Sequence, residues 1–490
     1  MLNINKVLSN LNTNYSQVTD IVPEIFYFTD DVSQYQSNNI TVFDTVVQDD
    51  GNILVAGEGI AGFSNNLNGQ RRGGIMRIDV NGVIDETYTR LGFDYSGVFA
   101  IDLQSTGKAI VGGYFTNVGE GFDEYSANNI VRLGVNGYPD YSFNIGIGFN
   151  SSLEDIIVLS DDSILTCGYF DHFNEVNTGY LTKLNSDGTL DTTFNTNFIN
   201  NGASPAILAM AVQSDNKIVY VGSNGFVSRI NSNGLYDETF TNPTISGYNN
   251  SVSAVAIQDD GKILIGGSFN TVNGNTINSI CRLNSDGSFD ESFEPSGNGF
   301  QGFYSMGYDS SYILEIKIQS NGKILVGGYF NSYNSKLRNN VCRLNSDGSL
   351  DSSFGNPYNF DAVVFNINYI SSNEILVGGS FRHPRIGLAK LTNTGSFSSL
   401  GINLPDDTYG IEGGFDTQKM YNHANFINTN NTQLYNDIKE NDVNSYLSVP
   451  CTHVQATFPF LYDASSPYLY RYLPAPLRFR TYIINTYSLI

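Results

Sequence analysis

Side chains of the types that catalyse reactions or bind metals are few in this sequence and widely separated. The four histidines are His172, His383, His423 and His453, and the four cysteines are Cys167, Cys281, Cys342 and Cys451. Dispersed histidines are more often surface or packing residues than general bases or metal ligands. The cysteines lack the C-x-x-C spacing of zinc sites, and a free cysteine usually packs as a small apolar residue. We therefore expect Cys281 and Cys342 to be buried in strands.

Motifs of known catalytic sites are also absent from the sequence. It contains no G-x-S-x-G, no P-loop, no H-E-x-x-H and no protein-kinase set. One G-x-G-x-x-G at residues 57–62 leads into an Asn-rich loop instead of a helix, which argues against dinucleotide binding. The segment 185–191 has some features of a calcium loop but lacks its full pattern, so we expect a plain hairpin. We predict no catalytic, cofactor-binding or metal-binding residues.

The composition favours a globular protein and narrows its possible partners. The chain has 490 residues, of which 40% are hydrophobic, and a formal net charge of −23. Such a charge repels DNA and RNA over most of the surface, so nucleic acid is not an expected partner. No stretch is apolar enough to insert into a membrane, and residues 1–20 lack the apolar run of a secretory signal. We expect the protein to act where it is made, or to leave the cell without a cleaved signal, as a virion protein does on lysis.

The elements that must position any functional residue belong to a repeat. One line of it is R-L-N-S-D-G-S-x-D, which is clearest at residues 282–290 and 343–351. Seven copies are identified by their turn glycines, which are Gly82, Gly137, Gly188, Gly234, Gly287, Gly348 and Gly395. A second line precedes each copy and is clearest at residues 258–267 and 319–328, where it contains D-G or N-G followed by an apolar run and two glycines.

Each repeat unit has the pattern of a four-stranded antiparallel meander. Apolar runs separated by D-G and N-G predict hairpins with type I′ turns, in which two residues have positive φ. Four strands per unit are typical of a β-propeller blade, and seven units predict an all-β, seven-bladed β-propeller over residues 41–400. The paired glycines, such as Gly266 and Gly267, lie inside a strand, so we interpret them as sites of close approach to a neighbouring blade.

The two lines of the repeat closely resemble the delta-60 repeat family, a bacterial and phage propeller repeat. The most specific matches are residues 258–293 and 319–354, and the resemblance covers about 360 residues of the chain. Repeats one, three and seven depart most from the pattern. The resemblance implies a propeller with a binding role, and it implies no common catalytic residues.

The segments that flank the repeats have a different composition. Because the seventh repeat ends in residues 396–399 without the terminal D-x-x-F, we expect a strand of the N-terminal arm, residues 1–40, to complete the last blade. Residues 401–490 form a C-terminal extension, β-rich or extended, that we predict to serve docking or assembly. Its candidate partner-binding residues are Phe458, Phe460, Tyr462, Tyr468, Tyr470, Arg471, Tyr472, Arg478 and Arg480.

These features together favour a non-enzymatic structural and binding protein. We expect a bacteriophage virion component, associated with the tail or capsid and present in several copies, which binds other virion proteins. A host-surface receptor or a glycan is a further candidate partner. One alternative is an adhesin that is secreted or displayed on a bacterial surface. Another is a carbohydrate-active enzyme, which would need two carboxylates near the propeller axis, and the 48 acidic residues leave room for such a pair.

Overall fold

The part of the chain that can be described is built almost entirely from β-strands. The structure is a computed structural model. It describes residues 40–59, 73–89, 91–94, 97–119, 125–194, 206–247, 249–293, 299–302, 304–305, 308–309, 311–355, 360–381 and 387–398. These residues form 34 strands and one 3-10 turn, Ser223–Gly225, which confirms the all-β prediction. No helix among them is long and apolar enough to cross a membrane.

Each repeat contributes one sheet of three consecutive antiparallel strands, numbered here sheet 1 to sheet 7 in chain order. The first strands are β1 (Thr41–Val47), β5 (Gly97–Leu103), β10 (Leu153–Val158), β15 (Ile207–Val212), β19 (Ser251–Ile257), β27 (Tyr312–Ile318) and β32 (Val364–Ser371). The second strands are β2 (Ile53–Glu58), β6 (Ala109–Tyr114), β11 (Ile164–Gly168), β16 (Ile218–Gly222), β20 (Ile263–Ser268), β28 (Ile324–Tyr329) and β33 (Glu374–Gly379). The third strands are β3 (Gly73–Ile78), β9 (Ile130–Leu133), β14 (Leu181–Leu184), β17 (Val227–Ile230), β23 (Ile280–Leu283), β31 (Val341–Leu344) and β34 (Leu388–Thr392).

Short strands add small ribbons to these sheets. They are β4 (Leu91–Phe93), β7 (Asn117–Val118), β8 (Tyr125–Ser126), β12 (His172–Phe173), β13 (Val176–Asn177), β18 (Ile245–Ser246), β21 (Thr271–Val272), β22 (Asn275–Thr276), β24 (Phe300–Gln301), β25 (Tyr304–Ser305), β26 (Tyr308–Asp309), β29 (Ser332–Tyr333) and β30 (Lys336–Leu337). Strands β4, β7 and β8 extend sheet 1 to six strands, so this sheet contains residues of two repeats. The remaining short strands form separate ribbons of two or three strands.

The predicted fourth strand is reduced to one bridging residue in every repeat. In sheet 5, Phe289 bridges Leu283 and the chain then turns, because the Asp290 carboxylate accepts a hydrogen bond from the Ser292 N–H. The seventh repeat follows the same pattern, since Phe397 bridges Leu391. The prediction of regular four-stranded blades is therefore wrong in this detail. The N-terminal strand that was expected to complete the last blade lies outside the described residues.

The D-G and N-G segments form hairpins as predicted, but the turn type differs. In the turn that follows β23, Gly287 has φ +86° while Asp286 is not among the residues with positive φ. The Gly287 N–H donates to the Asn284 carbonyl and the Asn284 N–H donates to the Ser288 carbonyl. This is a type I turn followed by a left-handed glycine, which needs only one residue with positive φ. The calcium-like segment 185–191 is the same hairpin, and its Asp187 carboxylate accepts hydrogen bonds from Thr189.

The two glycines of each pair approach different neighbours. A Cβ atom on Gly266 would lie 2.7 Å from Ile313 of sheet 6, which confirms the predicted contact with the next sheet. A Cβ atom on Gly267 would lie 2.1 Å from the Ser251 carbonyl oxygen of the same sheet. The first glycine therefore lets adjacent sheets pack closely, and the second lets β19 cross close to β20.

Consecutive sheets pack against each other through their first strands. Strand β1 contacts β5, β5 contacts β10, and the series continues through β15, β19 and β27 to β32. Strand β32 also contacts β1, and the Thr45 hydroxyl donates to the Asn366 side-chain carbonyl across this boundary. The sheets themselves are separate, and no sheet in the described ranges closes on itself. The number of blades and their closure into a ring stay predictions at this point.

A buried arginine joins most sheets to the next, and we call its contacts the arginine network. In sheet 5 the Arg282 Nε lies 2.6 Å from an Asp290 oxygen, and the guanidinium lies 4.8 Å from the centre of the Phe293 ring. It also donates to the Gln258 side chain and to the Ser346 carbonyl, which belongs to the turn of sheet 6. Equivalent arginines that contact the next sheet are Arg77, Arg132, Arg229 and Arg343.

We predict that Arg282→Ala lowers the free energy of unfolding by about 3–5 kcal/mol, because it removes one of the two cations that pair with the buried Asp290 and leaves the Gln258 and Ser346 acceptors without their donor. Urea denaturation followed by circular dichroism measures this loss. As a control, Lys336→Ala in the exposed β30 should change the free energy by less than about 0.5 kcal/mol. A loss for Arg282→Ala as small as that of the control would show that the arginine network does not hold the sheets together.

Candidate functional site

All nine residues predicted from the sequence to bind a partner lie outside the described residues. These are Phe458, Phe460, Tyr462, Tyr468, Tyr470, Arg471, Tyr472, Arg478 and Arg480. Cys281 and Cys342 are buried in equivalent strands, β23 and β31, as predicted. His172 is partly exposed, and its Nδ1 lies 2.6 Å from an Asp171 carboxylate oxygen. Among the described residues, no three His, Cys, Asp or Glu side chains converge as metal ligands would.

The titratable groups that do come together lie on the first strands. Asp44, Asp155 and Glu315 occupy the same register position in β1, β10 and β27, opposite the fourth residue of the second strand. Asp102 and Lys317 lie two positions further along β5 and β27, and therefore on the same strand face as that position. We call these five residues the first-strand cluster. Whether these five side chains come together therefore depends on which first strands lie next to each other.

Three carboxylates of the cluster bind the backbone of the next sheet. One oxygen of Asp44 accepts a hydrogen bond from the Ile101 N–H at 2.9 Å, and Asp102 accepts one from Val158 at 2.7 Å. Asp155 accepts one from the Met210 N–H at 2.8 Å. These N–H groups lie on the edge of a sheet, where no further strand of that sheet pairs with them. The carboxylates therefore complete the hydrogen bonding of the edge strands.

The second oxygens of two of these carboxylates are also occupied. In Asp44 the other oxygen accepts from the Thr45 N–H and from the Asn366 side-chain amide of sheet 7, both at 2.8 Å. In Asp102 it accepts from the Leu103 N–H at 2.8 Å. Strand β32 adds a further link, because the Asn368 side chain donates to the Thr45 carbonyl. Side-chain hydrogen bonds of these aspartates and asparagines link sheet 7 to sheet 1, sheet 1 to sheet 2, and sheet 2 to sheet 3.

Lys317 is the only cation of the first-strand cluster. Its Nζ lies 3.8 Å from a Glu315 oxygen, and its side chain is 40% exposed whereas that of Glu315 is 20% exposed. Glu315 raises the pKa of Lys317, and Asp44, Asp155 and Asp102 raise it further, against the opposing effect of burial. Lys317 therefore stays protonated at neutral pH, and four carboxylates share one positive charge.

The pKa values of all four carboxyl groups of the first-strand cluster are raised. Burial raises the pKa of Asp44 to about 8, that of Glu315 to about 7 and that of Asp155 to about 6. Burial also raises the pKa of Asp102, although the Val158 and Leu103 N–H groups oppose this effect. The cluster therefore changes charge near neutral pH.

Aromatic rings and one more acid lie near the start of the same strands. The Phe43 ring makes edge-to-face contacts with Phe99 of sheet 2 and Phe365 of sheet 7, with centroid distances of 5.3 and 5.1 Å. At the corresponding place in sheet 3, Glu154 accepts a hydrogen bond from the Ser152 hydroxyl at 3.0 Å. Burial raises the pKa of Glu154 to about 7. Burial and then Glu154 raise the pKa of the half-exposed Tyr169.

The opposite part of the first-strand series has no charged groups. Sheets 4 and 5 carry Ala209, Ala211, Ala254 and Ala256 at the register positions of the cluster. These register positions therefore carry at least one polar side chain on each of sheets 6, 7, 1, 2 and 3, and only alanine on sheets 4 and 5. Sequence analysis allowed for an acidic pair but named no residue of it. The sequence feature that could have identified these acidic residues is a carboxylate within a mostly apolar first strand, as in the segments 41–47 and 97–103.

Comparison with known proteins supports the assignment of the repeats. Five segments match a family described as "Domain of unknown function (DUF5122) beta-propeller", at residues 48–88, 104–143, 159–194, 258–293 and 319–354. These matches support a β-propeller repeat family for the five segments. No curated protein matches the chain.

Several solved propeller structures are similar to this chain at low sequence identity. The WD40 β-propeller domain of Doa1 is 15% identical, with coverage of 63% of this chain and 93% of that chain and a TM-score of 0.31. Sqt1 from Chaetomium thermophilum is 11% identical, with coverage of 70% and 80% and a TM-score of 0.38. Virginiamycin B lyase from Staphylococcus aureus is 14% identical, with coverage of 71% and 96% and a TM-score of 0.41.

We predict that the folded chain loses stability as the pH rises from about 4 to about 8. In this range the folded state binds more protons than the unfolded state, because Asp44, Asp155 and Glu315 have raised pKa values only when folded. The stability that these groups contribute is complete below their unfolded pKa and is lost as the pH rises through the folded pKa. Thermal unfolding at a series of pH values measures the effect as a falling melting temperature.

The variant Asp44→Asn should flatten this pH dependence, because it removes the group with the highest of the three values. A matched control is Asp286→Asn, since hydrogen bonds from Ser288 lower the pKa of the Asp286 carboxyl, which then titrates only in more acidic solution. The control should keep the wild-type slope above pH 5. An identical slope in Asp44→Asn and wild type would contradict the assignment.

Proposed function

We propose that this chain is a non-enzymatic binding protein whose seven sheets are the blades of a closed, seven-bladed propeller of the delta-60 type. The observation that carries the proposal is that the aspartates of the first-strand cluster bind neighbouring backbone instead of facing a substrate. Asp44, Asp102 and Asp155 each use an oxygen to accept an N–H of the next sheet. Groups held in this way connect adjacent blades.

Closure of the ring is supported by a contact between the last repeat and the first. In sheet 7, Lys390 occupies the place of the arginine, and its Nζ lies 3.4 Å from the Val80 carbonyl of sheet 1. Val80 is the turn residue that corresponds to Ser346, which accepts from Arg282. Lys390 also pairs with Glu374 at 2.9 Å, which compensates for the missing aspartate of this repeat. The same sheet-to-sheet contact therefore recurs between the seventh and first repeats.

A binding role is supported by exposed aromatic side chains at the ends of second strands. Tyr114 ends β6 and is 46% exposed, and Tyr169 directly follows β11 and is 54% exposed. They occupy equivalent positions in adjacent sheets, next to the loops that lead to the third strands. Tyrosine supplies a large contact area and a hydroxyl at low entropic cost, which suits protein and glycan surfaces alike.

We place this binding protein in a bacteriophage virion, as a tail- or capsid-associated component. The propeller supplies a rigid scaffold, and residues 401–490 supply the docking segment for other virion proteins. The acidic composition and the absence of catalytic motifs support this assignment. An adhesin on a bacterial surface is the alternative with the same scaffold chemistry. The virion proposal and the adhesin alternative differ in where the protein is found, which is the phage particle or the bacterial surface.

We predict that mass spectrometry of purified phage particles detects this chain, and that a chain lacking residues 401–490 folds but does not enter particles. Circular dichroism of the truncated chain tests the folding, and its content in particles tests the docking. Absence of the full chain from particles together with its digestion by protease on intact bacteria would favour the adhesin. Turnover of a glycan that is lost in Glu154→Gln or Glu315→Gln would contradict a non-enzymatic role.

A further inference from the structure

The arginine network is incomplete between sheets 3 and 4. Lys183 stands where five other repeats have arginine, and Leu159 stands where four of them have a glutamine bonded to that arginine. The Lys183 Nζ lies 3.4 Å from the Asp191 carboxylate, and among the described residues nothing donates to the Ser232 carbonyl of the next turn. The carbonyls that correspond to it, such as that of Ser346, accept a hydrogen bond from arginine.

A pocket of about 300 Å³ occupies the place of the missing guanidinium. Its lining residues are Leu159, Ser160, Asp161, Leu165, Lys183, Phe194, Val212, Asn216, Ile218 and Ser232. This volume is at the lower end of the range for pockets that bind small molecules. The pocket therefore lies at one of two junctions where lysine replaces the arginine and an apolar residue replaces the glutamine. At the other, between sheets 7 and 1, the Lys390 ammonium donates to the turn carbonyl of Val80.

We propose that this pocket binds the guanidinium group of an arginine side chain presented by another polypeptide. The chain binds its own guanidinium groups at the equivalent places in other repeats, so these places can be compared with the pocket. There each guanidinium lies 4.6 to 4.8 Å from the centre of an aromatic ring and donates to a turn carbonyl of the next sheet. Phe194 and Ser232, the residues at the same two positions of the repeat, both line the pocket.

The charge of the pocket also suits a cation. Lys183 is paired with Asp191, and Asp161 adds a second carboxylate to the lining. One oxygen of Asp161 accepts from the Ser163 N–H and hydroxyl. The pocket residues together with Asp191 thus carry one excess negative charge. A basic partner is in addition attracted by the net charge of −23 of the whole chain.

Arginine is favoured over lysine as the occupant for a geometric reason. A guanidinium is planar, stacks on an aromatic ring and donates in several directions at once, whereas an ammonium acts as a compact point charge. The two lysines at arginine positions illustrate the difference. Lys183 pairs with Asp191, and Lys390 pairs with Glu374 and donates to the Val80 carbonyl, whereas each of the five arginines also stacks on an aromatic ring. This inference goes beyond the proposed function and holds for any location of the protein.

The test is isothermal titration of the full chain with the peptide acetyl-Gly-Arg-Gly-amide. We expect binding that weakens at least about tenfold when arginine is replaced by citrulline, which keeps the shape but not the charge, or by lysine. Methylguanidine in a parallel titration distinguishes a site for the isolated group from one that also needs the peptide. The variant Asp161→Asn should weaken the arginine peptide by a similar factor.

The decisive variant is Leu159→Gln/Lys183→Arg, which completes the network with the chain's own arginine. It should abolish peptide binding and raise the melting temperature, while the control Lys336→Arg in β30 should change neither. If the double variant does not fold, Phe194→Leu serves instead and should weaken binding without unfolding the chain. Unchanged binding in the folded variants, or equal binding of the arginine and citrulline peptides, would overturn the proposal. Neither result bears on whether the chain is found in virions.

Discussion

At five of the junctions between consecutive sheets, packing depends on a single buried guanidinium. Arg282 donates to Asp290 and Gln258 of its own sheet and to the Ser346 carbonyl of the next. A buried ion pair contributes little by its charge alone, because desolvation costs about as much as the attraction returns. Its value here is that the planar guanidinium satisfies several acceptors at once, some in each sheet. Two sheets that shifted relative to each other would break the hydrogen bond to the Ser346 carbonyl, so the arginine specifies how they align.

The same constraint explains why the repeat could be recognised from the sequence. In R-L-N-S-D-G-S-x-D the arginine and the final aspartate are eight residues apart, and the hairpin between them brings them together. The hairpins, the strand content and the close packing at the glycine pairs could all be predicted from these spacings. The turn type and the short fourth strand could not, because D-G occurs in more than one hairpin geometry and because the aspartate turns the chain after its single bridge.

The first-strand cluster could not be assembled from the sequence, since its hydrogen bonds connect residues in different repeats. Asp44 and the Ile101 N–H are 57 residues apart, and Asp155 and the Met210 N–H are 55 apart. The repeat pattern does not mark these positions, because the other sheets have alanine, asparagine, valine or isoleucine at them. A residue that deviates from the repeat therefore indicates a structural feature that is specific to that repeat. Repeat 3 deviates at Lys183 and a pocket results, whereas repeat 7 deviates at Lys390 and Glu374 restores the ion pair.

The acidic residues fall into two classes that differ in how their charge is compensated. Burial alone would raise the pKa of Asp290, but hydrogen bonds from Lys262, Ser292 and Arg282 outweigh it and lower the value well below the usual range. The carboxylates of the first-strand cluster accept hydrogen bonds as well, mostly from neutral backbone N–H groups, and they share only Lys317. Neutral donors stabilise a buried carboxylate less than cations do, so burial prevails and the pKa rises. Protons therefore compensate the charge of the first strands, whereas arginine and lysine compensate it in the hairpins. It follows that the first-strand contacts change with pH near neutrality while the arginine network keeps its charges.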